Sequence, residues 1–166
     1  MKSIIPAERI EQKIYFIRSQ KVMFDSDLAE LYGVETKQLK RQVRRNIRRF
    51  PDDFMFEMTR DEYREYLRCQ NGTLKKGQHS KYLPYAFTEN GVAMLSTVLN
   101  SERAIDVNIQ IMRTFTKLRT MLATHADLKR KIESMEQKYD KQFKVVFNVI
   151  KKLLEEPPKD TKKIGF

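Results

Sequence analysis

The densest group of residues that could do chemistry is a basic segment between positions 37 and 49. Seven of its residues are cationic and none is acidic; the cations are Lys37, Lys40, Arg41, Arg44, Arg45, Arg48 and Arg49. Such groups bind phosphate oxygens, and arginine also binds the edge of guanine through two hydrogen bonds. A charged helix surface is often merely solvated, but like charges three and four residues apart repel each other unless acids neutralise them. The segment therefore favours a polyanionic partner.

The composition of the whole chain agrees with that preference. Its 166 residues include 33 Lys+Arg and 22 Asp+Glu, a net charge of +11, which points to nucleic acid or an anionic membrane surface. No apolar run approaches the roughly 20 residues that span a bilayer, and the first residues do not form a signal peptide. Cys69 is the only cysteine, so an intramolecular disulfide is excluded, and with two histidines no soft-ligand metal site can be assembled. We expect a cytoplasmic protein without metal or cofactor.

Two helices around a glycine position the basic segment. A short helix is predicted to begin at an N-cap provided by Asp25 or Ser26 and to end at Gly33. A second helix is predicted from an N-cap at Thr36 to Arg49, and its apolar stripe would consist of Leu39, Val43, Ile47 and Phe50. A helix-turn-helix also requires a small residue and apolar contacts between its helices, and these are supplied by Ala29, Leu28, Tyr32, Val34 and Leu39. Gln42 departs from this pattern.

In a helix-turn-helix the N-terminal part of the second helix reaches base edges in the major groove. This geometry nominates for base contacts Thr36, Lys37, Lys40, Arg41 and Arg44. It leaves three cations nearer the C-terminus for phosphates, namely Arg45, Arg48 and Arg49. A second candidate is the glycine-containing loop after position 71, which carries Lys75, Lys76, His79 and Lys81. This loop could form a wing on the phosphates or be an ordinary solvated loop.

Short strands and further helices complete the predicted domain. β-Branched and aromatic residues predict two strands, 13–17 and 21–24, joined by a turn around Ser19-Gln20. An alternating pattern predicts a strand at 53–59, and a fourth is predicted at 82–88, which Pro84 would confine to the edge of the sheet. Thr59 and Glu62 form a capping box for a helix to about Cys69, and Thr88 can cap another helix. A longer helix over 102–122 has so broad an apolar surface, including Ile105 and Ile109, that we expect it to pack into the core.

A heptad pattern follows from about residue 126. Steps of four and three join Leu128, Ile132, Met135, Tyr139, Gln142, Val146, Val149 and Leu153. Apart from Gln142 these positions are apolar or aromatic, which predicts a coiled-coil oligomerisation helix. The predicted organisation is a DNA-binding domain at 1–122, the coiled-coil helix at 123–156 and a flexible tail at 157–166. The fold class is α+β: a small helix-turn-helix domain with short antiparallel strands, followed by that helix.

Two blocks of the sequence resemble a known family. The segments DSDLAELYGVETKQLKRQVRRNIRRFPDDFMFEMTRDEY and YLPYAFTENGVAMLSTVLNSERAIDVNIQIMRTF are similar to phage-type KilA-N/Bro-N-like DNA-binding domains. The nearest branch is the one named for the N-terminal domain of a phage sixth open reading frame, and the resemblance covers about residues 5–120. It implies a small α+β DNA-binding domain of bacterial, phage or mobile-element origin, often found in antirepressors or regulators. A nucleoid-associated location in bacteria follows from it.

The sequence contains no catalytic constellation, so we expect a binding protein and not an enzyme. Acidic pairs such as Asp52-Asp53 and Asp61-Glu62 could be metal ligands of a nuclease, but a turn and a helix start explain them better. The main hypothesis is a sequence-specific binder of double-stranded DNA that forms a homodimer through residues 126–155. The alternative is an antirepressor that binds a repressor protein through its coiled coil, with DNA binding secondary. Membrane-surface binding is a distant third hypothesis, because the apolar stripe of the basic helix is expected to pack against the domain core.

Overall fold

The computed structural model describes residues 5–71, 82–138 and 145–155, and it is an α+β fold. The helices and strands, in chain order, are α1 (Ala7–Glu11), β1 (Tyr15–Ile17), β2 (Gln20–Phe24), α2 (Asp25–Tyr32), α3 (Thr36–Arg45), β3 (Met55–Glu57), α4 (Arg60–Asn71), β4 (Tyr85–Thr88), α5 (Glu89–Leu95), α6 (Glu102–Thr124), α7 (Ala126–Lys138) and α8 (Val146–Glu155). A 3-10 turn, Ile47–Arg49, follows α3. In these residues no helix is both long and apolar enough to cross a membrane.

The four strands form one antiparallel sheet in the order β1-β2-β4-β3. The strand after Pro84 is therefore central, and the prediction that it lies at an edge is wrong. Pro84 precedes the first paired residue, so its missing N–H costs no sheet hydrogen bond. Its carbonyl oxygen accepts a hydrogen bond from the Met58 backbone N–H at 2.9 Å.

A tight turn at Arg18 and Ser19 joins β1 to β2. Both residues have positive φ angles, 55° and 63°, as a type I′ hairpin turn requires, although neither is the usual asparagine or glycine. Arg18 gains compensating contacts, because its guanidinium binds the Glu62 carboxylate at 2.8 and 2.9 Å and lies 4.0 Å from the centroid of the Phe56 ring. The two predicted strands and the turn between them are thus confirmed, although β1 begins two residues later and β2 one residue earlier than predicted, and the turn lies at Arg18 and Ser19 instead of Ser19-Gln20.

The sheet separates two apolar clusters, because alternate residues of a strand point to opposite faces. Met23 and Phe87 face the main core, which also contains Leu28, Leu39, Val43, Ile111, Phe115 and Leu118. Their neighbours Phe24 and Ala86 face a second cluster with Tyr15, Ile17, Val22, Phe56 and Met58, against which Tyr63 and Tyr66 of α4 pack. The helix-turn-helix therefore rests on one face of the sheet and α4 on the other.

The predicted caps have mixed outcomes. The capping box is confirmed, because Thr59 Oγ1 accepts from the Glu62 N–H at 3.1 Å and the Glu62 carboxylate accepts from the Thr59 N–H at 2.8 Å. Thr88 also caps its helix, through the Gly91 N–H. The caps predicted for the helix-turn-helix are wrong: α2 begins after Phe24 and α3 after Glu35, and neither has a side-chain cap.

The C-terminal helices pack against the same main core. Leu128 and Ile132 of α7 are buried there, as are Val146, Phe147 and Ile150 of α8, while Val149 and Leu153 pack against it. Val145 pairs with Tyr15 in an antiparallel bridge, and the Val146 N–H donates to the Ile14 carbonyl oxygen at 2.9 Å. One uninterrupted helix over 126–155 is therefore a wrong prediction, because Val145 forms a strand bridge immediately before α8 begins at Val146. Tyr139, Gln142 and the predicted tail lie outside the described residues, and so does the Met135 side chain.

Candidate nucleic-acid interface

The turn between α2 and α3 is built as the sequence predicts. Gly33 has a left-handed φ of 78°, and its N–H and that of Val34 donate to carbonyl oxygens of the last turn of α2, at Ala29 and Glu30. This is the Schellman arrangement, which ends a helix and turns the chain. Leu28, Ala29, Tyr32 and Leu39 are all buried where the two helices meet, and Val34 packs beside them. The helix-turn-helix prediction is confirmed as a local structure.

An unpredicted contact from α6 holds this turn. Arg103 Nε donates a hydrogen bond to the Leu31 carbonyl oxygen at 2.9 Å, so it satisfies a backbone group at the C-terminus of α2. A Cβ atom added to Gly33 would lie only 3.1 Å from the same Nε. Glycine is needed here both for its positive φ and for the space that Arg103 occupies. Sequence patterns gave no signal for this contact, because the two residues are far apart along the chain.

The α3 helix presents its cations on one side. Lys37, Arg41 and Arg44 recur at intervals of four and three residues, so they lie along the same face over roughly 10 Å of helix. Arg45 is exposed on the neighbouring part of the surface, and Arg48 is exposed in the following 3-10 turn. None of these five side chains has a hydrogen bond or ion pair with another residue within the described ranges. Their charges are therefore available to an external anion.

Lys40 is a correction to the predicted set of base-contacting residues. It is only 8% exposed, and its ammonium group donates to the Leu83 carbonyl oxygen at 2.8 Å. Lys40 Nζ also lies 3.6 Å from the buried Asp25 carboxylate and 4.6 Å from the centroid of the Tyr85 ring. Lys40 therefore faces the protein, because one residue along a helix turns the side chain by about 100° from its neighbour.

Asp25 joins the helix-turn-helix to the sheet. Its carboxylate accepts a hydrogen bond from the Tyr85 N–H at 2.9 Å, which links the start of α2 to the start of β4. Burial raises the pKa of Asp25 above its ordinary value, although the Tyr85 N–H and the Lys40 charge act in the opposite direction. The Asp25–Lys40 pair thus links α2 and α3 to β4 on the buried side of α3. The opposite surface of α3 stays exposed to solvent.

The remaining predicted residues divide into three groups. Thr36 is half-buried at the start of α3, and Arg49 is exposed but donates to Thr97 Oγ1 at 3.2 Å. Ile47, predicted to belong to the buried stripe, is 52% exposed because α3 ends at Arg45 and the 3-10 turn changes the helical period. The loop residues lie outside the described ranges, and they are Lys75, Lys76, His79 and Lys81.

Sequence reasoning missed Gln38, which is exposed in the first turn of α3 beside Lys37. Glutamine can bind adenine through two hydrogen bonds in the major groove, so Gln38 is a candidate for base contacts together with the cations. The available signal was its place next to the predicted start of the second helix. Its neutral side chain does not contribute to the charge pattern that marks the basic segment. In the described ranges no group of three His, Cys, Asp or Glu side chains could hold a metal ion.

Comparison with known proteins adds a family assignment to this geometry. No curated protein and no solved structure matches the chain. The family model described as the ORF6N domain matches residues 12–98, slightly more than half of the chain. The matched segment contains the complete sheet, the helix-turn-helix and α5, whereas α6, α7 and α8 lie beyond it. The wider KilA-N/Bro-N relationship stays a prediction, but the chain belongs to the ORF6N domain family, named for the N-terminal domain of a phage ORF6 protein.

Proposed function

We propose that this protein is a sequence-specific binder of double-stranded DNA, a transcriptional regulator or antirepressor of phage or mobile-element type, with no catalytic activity. One observation carries the proposal: α3, which contains no acidic residue, projects Lys37, Arg41, Arg44 and Arg45 into solvent without an intramolecular partner in the described ranges. A helix with one face docked on a domain and a cationic outer face is suited to the major groove. Membership of a phage-type family supports the same reading.

The supporting geometry separates two kinds of contact. Gln38, Arg41 and Arg44 lie on the part of α3 that would enter the groove, where they are candidates for base edges. Arg45 and Arg48 stand near the end of the helix, where phosphates are the expected partners. The outer face of α3 is rigidly supported, because Leu39 and Val43 are fully buried beneath it and Lys40 binds the sheet.

The proposal is tested with duplexes selected from a random pool and binding measured by fluorescence anisotropy at several salt concentrations. We expect Arg45→Ala/Arg48→Ala to weaken binding to selected and random duplexes alike, and to reduce the salt slope by roughly two because two phosphate contacts are lost. We expect Arg41→Ala/Arg44→Ala to weaken binding to the selected duplex more than to random DNA.

A matched control removes the same charge elsewhere. Lys131 and Lys152 are exposed on α7 and α8, so Lys131→Ala/Lys152→Ala lowers the net charge equally without touching α3. We expect it to change affinity much less than either arginine pair. Equal losses of DNA affinity in all three variants would show that binding depends on overall charge and not on the surface of α3. No binding by the native chain at near-physiological salt would refute the proposed function.

Binding to a repressor protein stays the alternative prediction, but the structure supplies no observation that favours it. Homodimerisation through the heptad positions also stays a prediction. The buried heptad residues already have intramolecular partners, so the C-terminal helices would have to detach from the core to form a coiled coil.

A further inference from the structure

Helix α6 exposes two isoleucines that its core packing does not use. Ile105 and Ile109 are 47% and 45% exposed, and they lie one turn apart on the side opposite its buried residues. The prediction that they pack into the core is wrong, because that side of the helix faces solvent. The other large apolar side chains exposed in the described ranges, Ile47, Tyr82 and Leu154, belong to different segments. These two isoleucines thus form an apolar pair on one helix surface.

Charged residues without intramolecular partners surround this pair. Glu102, Asp106 and Arg113 are exposed on the same side of α6. The side chain of each makes no hydrogen bond or ion pair with any other residue in the described ranges. The next cations along the helix are different: Lys117 binds Glu11 at 3.0 Å and Arg119 binds Glu89 at 2.7 Å. The unpartnered charges are therefore confined to the part of α6 that carries the exposed isoleucines.

The order of these charges makes the surface complementary to itself. Asp106 lies about one turn before Ile109 and Arg113 about one turn after it. If two α6 helices pair antiparallel about a two-fold axis beside Ile109, each Asp106 faces the partner subunit's Arg113, and the two Ile109 side chains meet at the axis. A parallel arrangement would instead place Asp106 against Asp106. Self-complementarity of this kind is what a two-fold symmetric interface requires.

We propose that the α6 outward face, defined as Glu102, Ile105, Asp106, Ile109 and Arg113, binds a second copy of this chain in an antiparallel homodimer. The occupant is a second copy because the face supplies both members of the ion pair in the order that antiparallel pairing needs. The inference does not depend on the proposed DNA binding, since it rests on a surface separate from the exposed cations of α3. It names an interface different from the heptad positions, through which homodimerisation stays a separate prediction.

Sedimentation velocity of the full chain over a range of concentrations tests the proposal. We expect the native chain to form a dimer, and Ile109→Asp to weaken the dimer about 100-fold, because two carboxylates would meet at the axis. The matched control is Ile47→Asp, since Ile47 is similarly exposed but lies beside α3. We expect it to leave the dimer unchanged, and circular dichroism verifies that each variant folds.

Charge exchange tests the antiparallel geometry directly. Asp106→Arg alone and Arg113→Asp alone should each weaken the homodimer, because each variant places like charges against each other. Mixing these two variants should produce a heterodimer, and the double variant Asp106→Arg/Arg113→Asp should regain native dimerisation. A monomeric native chain, or a dimer insensitive to Ile109→Asp, would overturn the proposal. Because DNA binding is measured separately by anisotropy, this failure is distinct from failure of the proposed function.

Discussion

Two consecutive cations on α3, Lys40 and Arg41, have opposite environments. Lys40 is buried against Asp25, Leu83 and Tyr85, whereas Arg41 is exposed. Their residue types give no hint of this difference, because lysine and arginine are equally expected on a DNA-binding surface. The difference follows from the helical period, which turns Lys40 toward β4 and Arg41 away from it. A cationic residue type in the sequence therefore does not by itself show that the side chain can reach a ligand.

We expect Lys40→Met and Arg41→Ala to affect different properties. Lys40→Met keeps the apolar stem but leaves the Asp25 carboxylate buried without its cation, which should lower the free energy of unfolding by about 3 kcal/mol. Arg41→Ala removes an exposed side chain, so the free energy of unfolding should change by less than about 0.5 kcal/mol. Urea denaturation measures both effects. Anisotropy should then show reduced DNA affinity for Arg41→Ala and near-native affinity for folded Lys40→Met. The reverse pattern would contradict the assignment of Lys40 to the scaffold.

At the scale of helices and strands, the long-range contacts that hold the elements together are polar as well as apolar. Glu11 at the end of α1 is 3% exposed and binds two cations, Lys117 of α6 at 3.0 Å and Lys151 of α8 at 3.2 Å. Burial acts to raise the pKa of Glu11, but the hydrogen bonds and charges of Lys117 and Lys151 outweigh it, so the pKa lies below its ordinary value of 4.5. This single carboxylate therefore joins three helices.

The pKa shift of Glu11 predicts a pH dependence of stability. Because its pKa is lowered on folding, its ionised form stabilises the fold at pH values above about 4.5, and this contribution is lost as the pH falls through the lowered pKa. The free energy of unfolding of the native chain should therefore fall more steeply between about pH 5 and pH 3 than that of Glu11→Gln. Urea denaturation at several pH values measures this difference. Parallel pH profiles for the two proteins would show that Glu11 is not a stabilising ion-pair partner.

At the scale of the whole molecule, the C-terminal helices complete the core that the family segment begins. The ORF6N match ends at residue 98, yet Ile111, Phe115, Phe147 and Ile150 from later helices are fully buried in the cluster that contains Leu28 and Leu39. The helix-turn-helix and the C-terminal helices therefore share one apolar core. The stability of the site is consequently linked to residues far outside the matched segment.

We expect Phe147→Ala to destabilise the entire fold, because Phe147 is 1% exposed and its removal leaves a cavity in the shared core. The loss should be about 3–5 kcal/mol, the usual range for a buried phenylalanine. The unfolding transition should remain a single step detected equally by probes of the helix-turn-helix and of α8. Leu154→Ala is the matched control, since Leu154 is half-exposed on the same helix and should cost much less. Separate transitions for the two regions would show that α8 is an independent appendage.

The local features of this protein can be predicted from short stretches of its sequence. Gly33 ends α2 because it accommodates a positive φ, Thr59 and Glu62 cap α4 because they satisfy each other's backbone groups, and the α+β class follows from short period-two segments between helices. The absence of acids between Lys37 and Arg49 also indicated where to look for the site. All of these features depend on residues within a few positions of each other.

Which of those residues are available to a partner depends on the packing of distant segments and is visible only in the folded chain. The heptad residues Leu128, Ile132 and Val146 are buried by their own chain, while Ile105 and Ile109 remain exposed. Periodicity shows that a helix has an apolar face, but it does not show whether another part of the same chain covers that face. The same limit explains Lys40 and the central position of β4, since burial and strand order depend on contacts between distant segments.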